Sequence, residues 1–400
     1  MPIVSIPQRR FEERLQRLRS ELVKLEVKHF IVFNPNHVYY LTGFIHIPTE
    51  RPFALIVQDS TISFFVPELE KLHVQEKVPS AEKVGTYFEY PDTTHPMKHF
   101  AKFLKEELGI TGELGAEGPG SPGRWGYEGP KLEEVLGFPV KVSAQLITDM
   151  RVIKDDDELA CIRESAMWGN LAHQLLQDKT MVGANETEVS IAASLEASIA
   201  MSKAVGLAYR PLGYGGLSAH AGYRGQIGTY SAIPHALNRN AIFQPGDTLV
   251  TGASANVAGY FSELERTMFM GPPDEKQRKY FDIMVEAQDA AFAAFAPGKP
   301  CSAVDKTVRA VFKKRGVFHL VQHHTGHAIG MEGHEKPFLD HGMDVKMEPG
   351  MVFTVEPGIY DRGVGGFRHS DTVFITEDGM EQVTYYPRDI DYLTIDTFRR

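Results

Sequence analysis

Between Phe11 and Val27 the apolar residues Leu15, Leu18, Leu22, Val23 and Leu25 recur at helical spacing, and the run Phe30-Ile31-Val32-Phe33 follows before the turn Asn34-Pro35-Asn36. Apolar positions three and four apart line one helix face, whereas a short continuous run bounded by turn residues suits a buried strand. The alternation continues, with strands expected at 53–57 and 62–66, a helix near 95–108 and a short strand at 112–116. Residues 118–130 hold five glycines and three prolines and read as a loop. Residues 1–150 are therefore expected to form an α/β N-terminal domain.

A second pattern begins at Asp155-Asp156-Asp157-Glu158, ahead of the helical series Leu159, Ile162, Ala166, Leu171 and Leu175. Carboxylates in a first helical turn complement the helix dipole. Further helices are expected at 186–204, 274–295 and 302–314, while 248–269 and 351–376 alternate in β fashion between glycine turns. Residues 151–400 then form an α+β domain, helices packed on a curved sheet. Trp125 and Trp168 read as packing residues, and Gly213-Tyr214-Gly215-Gly216 lacks the strand and helix context of a phosphate loop. The glycine-rich stretch 210–233 has the character of a loop that lines a pocket.

Composition narrows the class without identifying it. Hydrophobic residues make up 42% and charged residues 24%, as in a soluble globular protein rather than a disordered chain or a membrane bundle. A net charge of −10 offers no basic footprint for nucleic acid or an anionic membrane, so neither is an expected partner. The arginines at 9, 10, 14, 17 and 19 accompany no continuous apolar segment and read as a surface helix rather than a secretory signal. Cys161 and Cys301, 140 positions apart, call for no bridge and point to a reducing cytoplasm.

Chemistry concentrates in the second half. His323, His324, His327 and His334 fall within twelve residues and are interleaved with glycines that allow close approach of a substrate. Glu356 lies in the apolar segment 351–358, where an unpaired charge is costly, so it needs a cation, a proton or hydrogen-bond donors. Glu263 and Glu265 stand at i and i+2, which on a strand directs both to one face. A buried carboxylate pair of this kind has raised pKa values and can hold or relay a proton.

Gly246-Asp247, Gly259-Tyr260, Arg266-Thr267, Thr325-Gly326-His327, His334-Glu335, Glu356-Pro357-Gly358 and Arg368 with Asp371 together resemble the pita-bread hydrolases: creatinase, Xaa-Pro aminopeptidase, prolidase and methionine aminopeptidase. Tyr40-Leu41-Thr42-Gly43-Phe44 and Glu50-Arg51-Pro52 resemble the creatinase-type N-terminal domain. The resemblance implies a pita-bread C-terminal domain over 151–400. In that family's metallopeptidases two Asp, one His and two Glu hold a pair of metal ions. His327 and Glu356 match that set, and Gly252, Glu263 and Ser370 stand at the other three places. The comparison implies that the dinuclear site is absent and no cofactor is expected. The alternative is one divalent ion (manganese, cobalt or zinc) on His327, Glu356 and Glu263.

Leu264-Glu265-Arg266-Thr267 looks like the creatinase segment whose Glu contacts a substrate guanidinium, and Glu356 stands for its second carboxylate. By the same resemblance His235 is the general acid and base, and Arg51 reaches a substrate carboxylate across a homodimer interface. His327, His334, Arg368 and His369 complete the polar wall around the substrate. The leading expectation is a metal-independent, creatinase-like hydrolase that cleaves a C–N bond of a small guanidino, cyclic amidine (ectoine-like) or amide compound. Two alternatives stand beside it: an Xaa-Pro dipeptidase or aminopeptidase with a degenerate metal site, and a non-catalytic pita-bread protein.

Overall fold

The alternating signals of the first 150 residues resolve into a six-stranded mixed sheet. The computed structural model describes residues 4–122, 126–209 and 216–398, and the chain divides into two compact units, 6–151 and 152–400. In the first unit the strands are β1 (His29–Val32), β2 (Ala54–Val57), β3 (Ile62–Pro67), β4 (Lys83–Tyr87), β5 (Leu114–Ala116) and β6 (Lys141–Val142), in the order β4-β3-β2-β1-β5-β6. Every residue of β2 and β3 is buried, which is why β2 reads as a continuous apolar run and β3 as one interrupted only by Ser63. The helices are α1 (Gln8–Lys24), α2 (Pro35–Thr42), α3 (Lys71–Lys77), α4 (Pro96–Lys102), α5 (Leu132–Leu136) and α6 (Leu146–Met150). Ile31, Ile56, Phe65, Met97, Phe100 and Leu104 form the centre of this unit's core. The helix expected at 95–108 runs as α4 to Lys102 and continues over 103–107 as a wider π-helical turn. Trp125 lies outside the described residues.

The second unit contains α7 (Asp156–Lys179), α8 (Glu186–Val205), α9 (Glu275–Ala294) and α10 (Ser302–Lys314). Its strands are β7 (Ala219–Gly222), β8 (Thr248–Val250), β9 (Gly252–Val257), β10 (Tyr260–Phe261), β11 (Thr267–Met270), β12 (Gly326–Ala328) and β13 (Glu335–Leu339). Then follow β14 (Val352–Val355), β15 (Gly358–Asp361), β16 (Gly365–Arg368), β17 (Asp371–Thr376), β18 (Gly379–Gln382) and β19 (Thr394–Ile395). They form sheets in the orders β10-β9-β7, β19-β11-β8 and β13-β12-β14-β17-β18, with β15 and β16 as a separate ribbon. The acidic start at 155–158 is a capping box, in which the Asp155 carboxylate accepts from the Asp157 and Glu158 N–H groups and the Glu158 side chain accepts from the Asp155 N–H. Asp274 and Gln277 do the same for α9.

Helices α7 and α8 cover β7 and β9, and α9 and α10 pack on each other. Helix α8 buries Val189, Ala193, Ala197 and Met201 and turns Ile191, Leu195 and Ile199 outward. Together with the turn that follows, through Ala208, it is one helix long and apolar enough to cross a membrane by length and composition. Trp168 is buried, and its indole N–H donates to Glu164.

Short bridges bring the separate sheets to one place. Ala253 pairs with Leu264, so Gly252 at the start of β9 lies beside Glu265. Glu265 and Ser370 exchange both backbone hydrogen bonds at 3.0 Å. The fully buried Arg266 guanidinium locks this crossing by donating to the Glu265, Ser370, Pro387 and Tyr386 carbonyls and to Asp371 at 2.8 Å. Asp371 also accepts from Gln288 and Thr384, so the buried pair has its remaining hydrogen bonds satisfied.

Candidate functional site

His327 sits at the centre of β12, between β13 and β14, and the approach of these strands fixes its ring. A Cβ on Gly326 would lie 2.1 Å from the Thr354 carbonyl oxygen, so only glycine lets β12 come this close to β14. The His327 N–H donates to the Thr354 hydroxyl, and the Nδ1–H donates to the Ala328 carbonyl at 3.1 Å. That contact holds Nδ1 as the donor and turns Nε2 to Glu356 Oε1, 3.1 Å away. Glu356, just past β14, is held in turn by its own N–H, which donates to the Thr325 carbonyl.

Glu263 approaches from the bend between β10 and β11. Its Oε1 accepts from the Ser370 hydroxyl at 2.7 Å, and its N–H donates to the Thr372 hydroxyl. One ligand atom from each of Glu263, His327 and Glu356 lies within 4.8 Å of the others. Burial, then the charges of Glu356 and Glu265, push the Glu263 carboxyl up to about 7. Burial would also raise Glu356, but the His327 hydrogen bond and the Arg368 charge hold it down at about 2. Burial would lower His327, yet its bond to Glu356 and the two carboxylates hold it up at about 9.

Glu265 has a different environment from its neighbour two positions away. The buried Arg368 guanidinium grips it bidentately, through Nε and through Nη2, the latter at 2.7 Å. Arg368 Nη1 also donates to the Tyr360 hydroxyl, which contacts His323 Nε2 at 2.7 Å. Arg224, outside all the spacing arguments, reaches Glu265 Oε1 at 3.3 Å.

His334 stacks on His327 with ring centroids 3.7 Å apart, and burial followed by the His327 charge lowers its pKa. His235 is exposed, close enough to His334 to contribute to that lowering. The loop bearing His334 is anchored by Glu335, which accepts from the Met331 and Glu332 N–H groups and pairs with the buried Lys154 at 3.0 Å. Glu263, Glu265, Gly252 and Arg224 line one cavity of about 380 Å³.

The structure thus brings His327, Glu356, Glu263, Glu265, Arg368 and His334 together. His369 is corrected: it is fully buried and packs against Phe281, because it points to the opposite side of the chain from Ser370. Arg51 belongs to the first unit, where it pairs with Glu50 at 2.7 Å. Arg224, Tyr360 and Lys154 were missed by sequence reasoning. The only signal for Arg224 was its place in the glycine-rich stretch, and for Lys154 none was present.

The donor set decides how many ions the residues fit. Gly252 supplies no ligand atom, Ser370 is spent on Glu263, and Glu265 is held by Arg368, so the oxygens that bridge a metal pair are missing. Glu263, His327 and Glu356 fit a single divalent ion, with His327 Nδ1 tied to a carbonyl as a ligating histidine requires.

The profile of metallopeptidase family M24 matches residues 160–377, and that of the creatinase/prolidase N-terminal domain matches residues 14–129. The Xaa-Pro dipeptidase of Pyrococcus horikoshii is 30% identical over 365 residues, covering 90% of this chain and 93% of that protein. The Xaa-Pro dipeptidase of Pyrococcus furiosus is 29% identical over 381 residues, covering 95% and 99%. Among solved structures the prolidase from Thermococcus sibiricus superposes with a TM-score of 0.80 at 26% identity, over 98% of this chain and 100% of that one.

These relatives overturn the leading expectation of a creatinase-like, metal-independent hydrolase, since they carry the name of dipeptidases. The geometry supplies the physical reason: a Glu265 carboxylate already gripped by Arg368 is not free to clamp a substrate guanidinium. With both of its units matched and its catalytic half aligned along nearly its full length, the chain belongs to metallopeptidase family M24, the pita-bread hydrolases.

Proposed function

We propose that the chain is an Xaa-Pro dipeptidase that hydrolyses the C–N bond of small dipeptides with one divalent ion held by Glu263, His327 and Glu356. The observation that carries this reading is the three-residue cluster itself, two carboxylates and an oriented imidazole converging within 4.8 Å. Its support is the similarity along the chain to proteins named Xaa-Pro dipeptidase. A homodimeric assembly in the cytoplasm is part of the same reading.

A divalent ion in this cluster supplies Lewis-acid polarisation of the scissile carbonyl. The protein does the rest. Thr354 and Ala328 hold His327 in one tautomer and orientation, and Arg368 lends positive charge beside Glu356. The attacking water adds its oxygen to the carbonyl carbon and loses a proton, and the leaving proline nitrogen must gain one as the C–N bond breaks. His334, its pKa lowered, is neutral near pH 7 and can take that proton on a ring nitrogen and pass it on. His235, exposed and close to His334, keeps its role as an acid-base group and can exchange that proton with solvent.

The test is to strip the protein with a chelator, add manganese, cobalt or zinc, and assay Ala-Pro against Ala-Ala. Cleavage of Ala-Pro restored by one of the ions, with Ala-Ala slower, is expected. No turnover of Ala-Pro with any of the three ions would overturn the reading and leave a binding protein.

A further inference from the structure

We propose that Arg224 anchors the anionic end of the substrate, the C-terminal carboxylate of the dipeptide; the substrate class in this statement rests on the function proposed above. Arg224 lines the same cavity as Gly252, Glu263 and Glu265, and its side chain is half exposed there. Its two side-chain hydrogen bonds are both long, from Nη2 to Glu265 Oε1 and to Gln226 Oε1 at 3.3 Å each. A guanidinium carries five N–H donors, and among the described residues only Nη2 is engaged, so Nε and Nη1 keep theirs for a ligand.

Charge matching points the same way. Arg368 is buried, cannot shed its proton, and already saturates Glu265 with two short contacts. The ion pair of Glu265 and Arg368 is complete without Arg224, and the charge of Arg224 is left over. A carboxylate is the ligand group whose planar pair of oxygens matches a guanidinium fork, and an ammonium or amide is not. A dipeptidase, unlike a peptidase that accepts long chains, must recognise a free carboxylate close to the scissile bond.

The guanidinium is also presented from a built position. Arg224 has φ +52°, a conformation that costs a non-glycine residue and persists only where its surroundings impose it. The adjoining Gly225 has φ +74°, and a Cβ there would lie 2.0 Å from the Leu237 carbonyl oxygen. The Gly225 N–H donates to the buried carboxylate of Glu186, which also accepts from the Arg239 and Ala241 N–H groups. The Val250 N–H donates to the Gln226 carbonyl and ties the turn to β8, two residues before Gly252. The side-chain-free floor at Gly252 leaves room beside Glu265 for the anion.

The experiment measures kcat and KM for Ala-Pro and for its C-terminal amide, with calorimetric affinities for both, on the parent enzyme and on the variants R224Q, R224K and R51Q. The parent is expected to favour the free acid at least tenfold in KM and in affinity. R224Q is expected to lose that preference through a KM at least tenfold higher for the acid, with kcat within about twofold and the amide unchanged. R224K recovers part of the loss, and R51Q keeps the preference. An R224Q enzyme that still prefers the acid, or a loss that appears in R51Q instead, overturns the proposal. A parent that binds the acid better than the amide, through Arg224, but cleaves neither sinks the dipeptidase reading and leaves the anchor standing. A parent that cleaves Ala-Pro with no acid preference does the reverse, and one that binds neither peptide overturns both.

Discussion

Glu263 and His327 are the residues at which the metal question becomes a proton question. Without an ion His327 keeps its proton up to about pH 9, and Glu263 is half protonated near pH 7. An ion can bind only after both are deprotonated, so affinity should rise with pH from 6 to 9 and then level off. At pH 7 roughly 1.5 protons should leave per ion bound, one from His327 and about half from Glu263. Calorimetry of zinc or manganese binding in buffers of different ionisation enthalpy measures this number, and an affinity independent of pH would contradict the ligand assignment. The sign for stability of the metal-free protein follows from the same shift. A carboxyl whose pKa is raised on folding contributes stability that is present below its ordinary value and lost as pH rises through about 7. The metal-free variant Glu263→Gln should therefore match the parent near pH 4 and exceed it at pH 8, by on the order of 3 kcal/mol. Urea unfolding at the two pH values checks this.

His327 and Glu356 were legible because their neighbours, the glycine before the histidine and the Pro-Gly after the glutamate, sit in recognisable segments. His369 was misplaced because adjacent residues on extended chain face opposite ways, and it is Ser370 that faces Glu263 while His369 packs on Phe281. The role of Glu265 was illegible, since its partner Arg368 lies 103 positions away.

At the scale of elements, the helices were the most readable part. The capping boxes at Asp155 and Asp274 and the helix at 302–314 stand in the structure where polar caps and apolar periodicity put them. The strands of 248–269 were legible only as a β-rich region. Where the ladder is interrupted, side chains take part in the pairing: the Arg266 N–H donates to the Thr251 hydroxyl, and the Ser254 hydroxyl donates to the Ser262 carbonyl. No periodic pattern records those.

The segment 330–335, which positions His334, illustrates an element held from far away in sequence. Lys154 and Glu335 are both nearly inaccessible, and Glu335 folds the segment by accepting two backbone N–H groups. Replacing Lys154 by Met removes the buried ammonium from the Glu335 carboxylate and should cost roughly 3–5 kcal/mol. Lys154→Met/Glu335→Leu should recover part of that stability, because no unpaired charge remains, but not activity, because the turn that aims His334 is lost. Thermal unfolding and dipeptide turnover of the two variants separate the effects. Equal stability of the single variant and the parent would show that the pair does not hold the segment.

For the whole molecule, the scaffold and the ligands have separated. The chain keeps the fold of solved prolidases at a TM-score of 0.80, and the family profiles match both units. A fold of this kind depends on buried strands, close glycine contacts and the Arg266–Asp371 network, none of which involves the ligand side chains directly. Loss of a carboxylate at Gly252 and at Ser370 can therefore occur without loss of architecture. What it changes is the charge the centre can balance. Glu263 and Glu356 together offer two negative charges, enough for one divalent ion and too few for two. Protein equilibrated with manganese or zinc and freed of excess should retain about one ion per chain by plasma mass spectrometry. At free ion a hundredfold above the dissociation constant, that binding should stabilise the fold by about 2.7 kcal/mol. The increment should vanish in Glu356→Gln, whose amide cannot replace the carboxylate, and persist in Arg51→Gln, whose side chain belongs to the other unit. Two tightly held ions per chain would mean that Glu265 leaves Arg368 to become a ligand, and that the charge count at Gly252 and Ser370 was misjudged.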